Sequence, residues 1–223
     1  MSQEVRISRP KFFTAAARRC ALLVIDMQIG FVAEGEVFET PEARAMIPRI
    51  ESLIRFCRER GMPIVWTQSD HRPPYGGLML QKFPPIGEQR VLWQGESSFE
   101  MYPHMLQPRE GVAEYRLIKH KYDSFFETGL DAILRYHHVD TVIITGTATN
   151  VCCESTARAA FMRDYYVAFL SDATATFDPA MHEATLKNID SFFGRVMTTE
   201  ELLEEMRETS AENPAPVRSS PAR

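Results

Sequence analysis

Residues 141–173, TVIITGTATNVCCESTARAAFMRDYYVAFLSDA, constrain the fold more than any other stretch. Thr141 to Thr145 form a β-branched run of the kind that makes a buried strand in a parallel sheet. Gly146 is expected to break that strand, and small or short polar residues follow through Asn150. Cys152 and Cys153 then stand where the chain turns into a helix of small residues, and a second β-branched and aromatic run, Tyr166 to Leu170, closes the unit. Strand, tight turn, cysteine and helix N-terminus in that order describe a nucleophile displayed at the carboxyl end of a sheet, where open α/β folds bind ligands. These residues alone leave open which of the two cysteines is displayed.

The flanking sequence repeats the strand–helix alternation. CALLVIDMQIGF, from Cys20 to Phe31, contains a buried strand that ends in Asp26. Ile47, Ile50, Leu53, Ile54 and Cys57 recur at helical spacing between Thr40 and Arg60, with Thr40 as expected N-cap, Pro41 as first helical residue and Gly61 as the stop. MPIVWTQ reads as a second strand, and Tyr115 to Ile118 as a third that ends at Lys119. A helix is expected from Thr128 to Tyr136 with Leu130, Ile133 and Leu134 inward, and another from Asp178 or Pro179 to about Asp190. GRVMTTEELLEEM supplies a last short strand and a helix capped by Thr198 or Thr199. This alternation predicts a Rossmann-like three-layer α/β/α sandwich around a central parallel sheet. Residues 72–116, with many prolines and glycines, read as a long excursion over the active-site face, a lid or an oligomer contact. The expected division is a lead-in over residues 1–20, one domain over 21–208 and a disordered proline-rich tail over 209–223.

Composition narrows the function classes. A net charge of −5 without a Lys/Arg cluster argues against a nucleic-acid partner. No apolar run approaches the roughly 18 to 20 residues that cross a bilayer, and the N-terminus lacks an apolar signal core, so a cytoplasmic protein is expected. The four cysteines, at positions 20, 57, 152 and 153, have neither a disulfide framework's pattern nor zinc-ligand spacing. Cys20 and Cys57 read as small hydrophobes of the core.

Asp26, Lys119 and one of the paired cysteines thus fall at strand ends facing one crevice. A nearby ammonium and a helix N-terminus both favour a thiolate. Asp26 can take the thiol proton and return it to a leaving amine, and N–H groups of the Gly146–Asn150 turn can face a developing oxyanion. These parts fit acyl transfer through a thioester. They also fit a structural alternative, a buried cysteine pair beside a salt-bridged Asp–Lys.

The strings LLVIDMQIGF, IKHKYDSFFETGLDAILR and VIITGTATNVCCESTARAA closely resemble, in order, three signature segments of the isochorismatase-like cysteine hydrolases. The resemblance runs from about Ala21 to Leu203. It implies a catalytic aspartate at Asp26, a lysine at Lys119 rather than Lys121, and a nucleophile at Cys152, with Cys153 packing where relatives often carry valine. It further implies a cis peptide at Thr147–Ala148 and an oxyanion hole from the N–H groups of Ala148 and Cys152. Asp123 departs from the usual pattern and is expected to cap its turn. The second histidine that accompanies a nicotinamidase metal site is missing after Ser69, Asp70, His71 and Arg72, so no metal and no cofactor are expected. The branch resembled is that of ureidoacrylate, biuret, triuret and N-carbamoyl-amino-acid amidohydrolases. Its small amide or ureide substrates call for walls and contacts, for which Phe31, Tyr122 and Phe125 are the candidates. Arg72, Gln94 and His104 of the excursion are within the sequence's reach of a substrate carbonyl or carboxylate but are expected on the surface. A homotetramer or dimer is implied. A nicotinamidase-like amidase and a non-catalytic binding protein of the same fold are the alternatives.

Overall fold

A computed structural model describes residues 12–15 and 18–212. Most of the expected lead-in, and the tail beyond Glu212, lie outside the described residues. Six strands form one sheet in the order β3-β2-β1-β4-β5-β6, every pair parallel. They are β1 (Cys20–Ile25), β2 (Ile64–Ser69), β3 (Glu114–Lys119), β4 (Thr141–Thr147), β5 (Tyr166–Ala175) and β6 (Arg195–Met197). The order reverses between β1 and β4, and at such a switch point the two crossovers leave in opposite directions and open a crevice.

Both faces of the sheet are covered, which is why its central strands are apolar without alternation. Leu22 and Val24 of β1 pack towards α2 (Ala43–Glu59) and α8 (Thr199–Glu212). Ala21, Leu23 and Ile25 pack the other way, with residues of α5 (Leu130–Tyr136), α6 (Glu154–Phe161) and α7 (Pro179–Phe192). Cys20 and Cys57 are buried in the first of these cores. Trp66, fully buried on β2, donates its indole N–H to Glu114 at 3.1 Å, and Arg58 holds that carboxylate at 2.8 Å.

Several boundaries differ from the sequence reading, each for a local reason. Thr40 does not cap α2: Thr40 is buried, its carbonyl accepts Ala43 N–H at 2.9 Å, and the helix begins two residues after Pro41. Gly146 does not end β4. It sits inside the strand at φ +110°, where a Cβ would lie 2.0 Å from the Ile25 carbonyl oxygen, so glycine lets β1 and β4 meet closely. β5 runs five residues past Leu170, and α8 continues past the expected boundary at residue 208. At the other end of α8, Thr198 and Glu201 form a reciprocal cap, with N–H to side-chain distances of 2.7 and 3.2 Å. Asp178 caps α7 by accepting Ala180 N–H at 2.8 Å, with Pro179 following.

The excursion between β2 and β3 is not structureless. It contains two single-turn helices, α3 (Leu78–Lys82) and α4 (Pro84–Glu88), and a 3₁₀ turn at Ser97–Phe99. Its far end is fastened to α1 (Ile29–Val32) and to the residues before it: Ile29 N–H donates to Glu100 and Tyr102 N–H to Met27, each at 2.8 Å. Gly30 permits this approach, since a Cβ there would meet Leu92 Cδ2 at 2.9 Å and the Ser98 carbonyl at 3.0 Å. No helix among the described residues is long and apolar enough to cross a membrane.

Candidate active site

The register of the sheet puts three strand ends side by side. Ser69 pairs with Lys119 and Ile25 with Gly146, so Asp26, Ser69 and Lys119 stand at one height above the carboxyl edge. Asp26 is fully buried and adopts φ +48°, and Thr147 fixes its backbone by donating to its carbonyl at 2.8 Å. Its carboxylate is saturated with donors. Thr67 Oγ1 donates to Oδ1 at 2.6 Å, Ser69 Oγ to Oδ2 at 2.9 Å, and Lys119 Nζ approaches Oδ2 at 2.7 Å. Lys119 also donates to Ser69 Oγ at 2.8 Å and to the Lys121 carbonyl at 3.2 Å. A buried ion pair is tolerable only with its remaining valences filled, and this one has them filled. Burial alone would push the Lys119 pKa down, but the facing Asp26 and Cys152 outweigh it and raise the value.

After β4 the Thr147–Ala148 peptide is cis, and Thr149–Cys153 form one turn of π-helix before α6 starts at Glu154. Cys152 therefore lies in the turn ahead of the α-helix. Its thiol hydrogen-bonds with both Asp26 and Lys119. Burial pushes that thiol up to about 12, with Asp26 adding to the rise and Lys119 opposing it. The thiol pKa is therefore raised where the nearby ammonium led to an expected fall, because desolvation outweighs the Lys119 charge. Cys153 is fully buried in the core on the α5, α6 and α7 side of the sheet, within 3.9 Å of the Thr145 carbonyl, and burial raises its thiol pKa as well.

Over Cys152 opens a cleft of about 530 Å³, counting its open mouth. Phe31, Phe38 and Tyr122 line it together with Ala148, Val151 and Phe177. The excursion contributes His71, Met79, Phe83, Ile86 and Leu92. The excursion is tied down over the cleft at both ends: His71 N–H donates to Leu92, while Gln28 and Gln68 side-chain amides donate to Phe99 at 2.8 and 2.9 Å.

The description Isochorismatase domain matches residues 20–201. The chain belongs to the isochorismatase family. It is 33% identical over 213 residues to ureidoacrylate amidohydrolase RutB of Klebsiella variicola (strain At-22), covering 86% of this chain and 89% of that protein. Among solved structures it resembles a cysteine hydrolase from Pseudomonas syringae pv. phaseolicola 1448A, with a TM-score of 0.83 and 27% identity over 91% of this chain and 100% of that one. N-carbamoylsarcosine amidase from Thermoplasma acidophilum superposes with a TM-score of 0.69 and 28% identity, over 82% of this chain and 97% of that one.

Within this isochorismatase-family chain, Asp26, Lys119 and Cys152 are brought into contact. Lys121 is not part of the group: it reaches out to the Tyr75 carbonyl at 3.0 Å. Phe31 and Tyr122 line the cleft, but Phe125 does not. Phe125 is buried in the core, its ring stacked on Tyr165 at 5.9 Å and covered by Arg163, because the turn after β3 directs it beneath the sheet edge. Asp123 makes that turn by accepting Phe125 N–H at 2.8 Å. Arg72 and Gln94 bond to each other at 2.8 Å rather than facing the cleft, and His104 is exposed beside Tyr102. Sequence reasoning missed Thr67 and Ser69. Two hydroxyls at i and i+2 on the carboxyl end of a buried strand carried the signal, since each needs a polar partner on one face. No cluster of three or more His, Cys, Asp or Glu able to hold a metal is present among the described residues.

Proposed function

We propose that this protein is a cysteine amidohydrolase that cleaves a C–N bond of a small carbamoyl or ureido compound through a thioester on Cys152. Membership of the isochorismatase family, with relatives named ureidoacrylate amidohydrolase and N-carbamoylsarcosine amidase, supports a hydrolase acting on non-peptide C–N bonds. The observation that carries the catalytic assignment is the Lys119–Asp26 contact of 2.7 Å with the Cys152 thiol bonded to both.

With the thiol pKa near 12, the resting sulfur is protonated at neutral pH. Nucleophile formation is therefore coupled to attack: Asp26 receives the thiol proton as Sγ bonds to the substrate carbonyl carbon, and Lys119 balances the charge. Ala148 and Cys152 N–H groups receive the oxyanion, and pre-oriented donors of this kind contribute about 3 to 4 kcal/mol each. Collapse breaks the C–N bond, and the proton on Asp26 passes to the departing nitrogen. Water then attacks the thioester, gives one proton to Asp26, and the acid leaves as that proton returns to Sγ.

The test is an ammonia-release screen over biuret, triuret, ureidoacrylate, N-carbamoyl amino acids and nicotinamide, joined to intact-mass analysis of quenched reactions. An acyl adduct on Cys152, absent in Cys152→Ser, is the expected result. Full ammonia release by Cys152→Ser would overturn the nucleophile assignment.

A further inference from the structure

The wall above Cys152 specifies more than a small amide. Among the described residues that line it, only His71, Tyr122 and Cys152 carry polar groups, and none is Arg or Lys. His71 is buried, its Nδ1 has no hydrogen-bond partner, and burial together with the Lys119 charge lowers its pKa to about 4, so it stays neutral. Lys119 beneath the cleft has its charge engaged by Asp26 at 2.7 Å and donates to Ser69 and Lys121. Two further lysines, Lys82 and Lys121, line a neighbouring groove that shares Met79, Phe83 and Tyr122 with the cleft. Lys82 is exposed, and Lys121 is bonded to the Tyr75 carbonyl. Lys82 and Lys121 line that groove and not the cleft, so a carboxylate held within the cleft over Cys152 lies among phenylalanine, methionine and leucine side chains. An unpaired charge there loses its hydration and gains no partner. An uncharged aryl or branched alkyl group instead replaces water against those same walls.

From this wall we infer that the preferred substrate is an uncharged N-carbamoyl compound bearing an apolar or aromatic substituent, rather than a short ureido acid of the ureidoacrylate kind. The inference rests on the amidohydrolase reading and adds the substituent class to it. His71 is the neutral imidazole left to meet a substrate N–H or carbonyl beside that substituent.

A matched pair separates the two classes: 2-phenylethylurea and N-carbamoylphenylalanine differ only by one carboxylate. The wild-type kcat/KM for the neutral urea should exceed that for the acid by at least about tenfold, the smallest ratio expected when a buried carboxylate is left unpaired. It should exceed that for ureidoacrylate too. Phe38→Arg, at a partly buried position on the wall, should narrow or reverse the ratio by supplying the missing cation. Equal or faster turnover of either acid by the wild type overturns the inference. If neither member of the pair is turned over and no acyl adduct forms with any amide, the amidohydrolase reading falls, and calorimetric binding of the pair to Cys152→Ala then decides the wall's preference. Tighter binding of the neutral urea sustains the inference. Tighter or equal binding of the acid, or binding of neither, overturns it.

Discussion

At the ends of β1, β2 and β3, Asp26, Ser69 and Lys119 are locked by a ring of contacts between 2.6 and 2.9 Å. Over them, Met79, Phe83, Ile86 and Leu92 are held by nothing more directional than packing and a few loop hydrogen bonds. The floor is a polar network on rigid strands, and the wall is an apolar surface on single-turn helices. A network of this kind fails when one member is removed, because the rest are left buried and unpaired. An apolar wall yields gradually, since each side chain contributes area alone. On the proposed function, the same division separates chemistry from selectivity.

The largest effect should come from the proposed nucleophile. Cys152→Ala is expected to lower kcat by at least about 10³-fold while leaving the fold intact. Cys153→Ala, one residue away but facing Thr145 and the core, should keep kcat/KM within about threefold and cost about 1 kcal/mol of stability. Steady-state kinetics and urea unfolding of both variants check this. Equal losses of activity in the two would break the distinction between them.

The floor was readable from sequence and the wall was not, for a physical reason. A buried strand advertises itself by β-branched residues, and a charged residue at its end has few explanations, so Asp26 and Lys119 stood out. Choosing Cys152 over Cys153 needed the family resemblance, because a π turn ahead of α6 gives no compositional sign. Residues 72–99 lack a period, and whether Met79 or Leu92 faces the cleft depends on anchors as far apart as Gln28 and Phe99. Phe125 was misplaced for a related reason: Asp123 turns the chain by one short hydrogen bond and sends the ring into the core.

Removing the cation from the floor should be felt mainly in stability. Lys119→Met leaves the Asp26 carboxylate fully buried with only uncharged hydroxyl and thiol donors, at an expected cost of about 3 to 5 kcal/mol in urea unfolding. Asp26→Asn combined with Lys119→Met removes both charges and should recover most of that loss, while turnover is expected to be abolished. If the double variant is as unstable as Lys119→Met, the penalty is lost packing rather than an orphaned charge.

Buried thiols set a further, pH-dependent contribution. Cys20, Cys57 and Cys152 are each raised to about 12 from an ordinary 9.0, principally by burial. Between those values the unfolded chain releases protons that the folded chain retains. Their contribution is thus fully present below pH 9 and is lost as pH rises towards 12, at up to about 1.4 kcal/mol per pH unit for each thiol. Thermal unfolding should show the midpoint falling above pH 9, with a shallower fall in Cys20→Ala. A flat profile from pH 9 to 11 would contradict burial as the source of the shift.

The smallest effects belong to the wall, and they sharpen the contrast most. Phe38 is partly buried, its ring 6.2 Å from Phe31 and 5.7 Å from Phe83 across the cleft. Truncation to alanine removes an edge of apolar surface without orphaning any polar group. Stability should therefore change by about 1 kcal/mol or less. A substrate that uses the wall should lose binding in ground state and transition state alike, so KM rises several-fold while kcat stays within about twofold. The same truncation should leave an amide too short to reach Phe38, such as biuret, with an unchanged KM. A fall in kcat for biuret would mean that the wall also positions the floor, through Phe31 and the α1 segment that follows Asp26, and the two regions would then have to be treated as one.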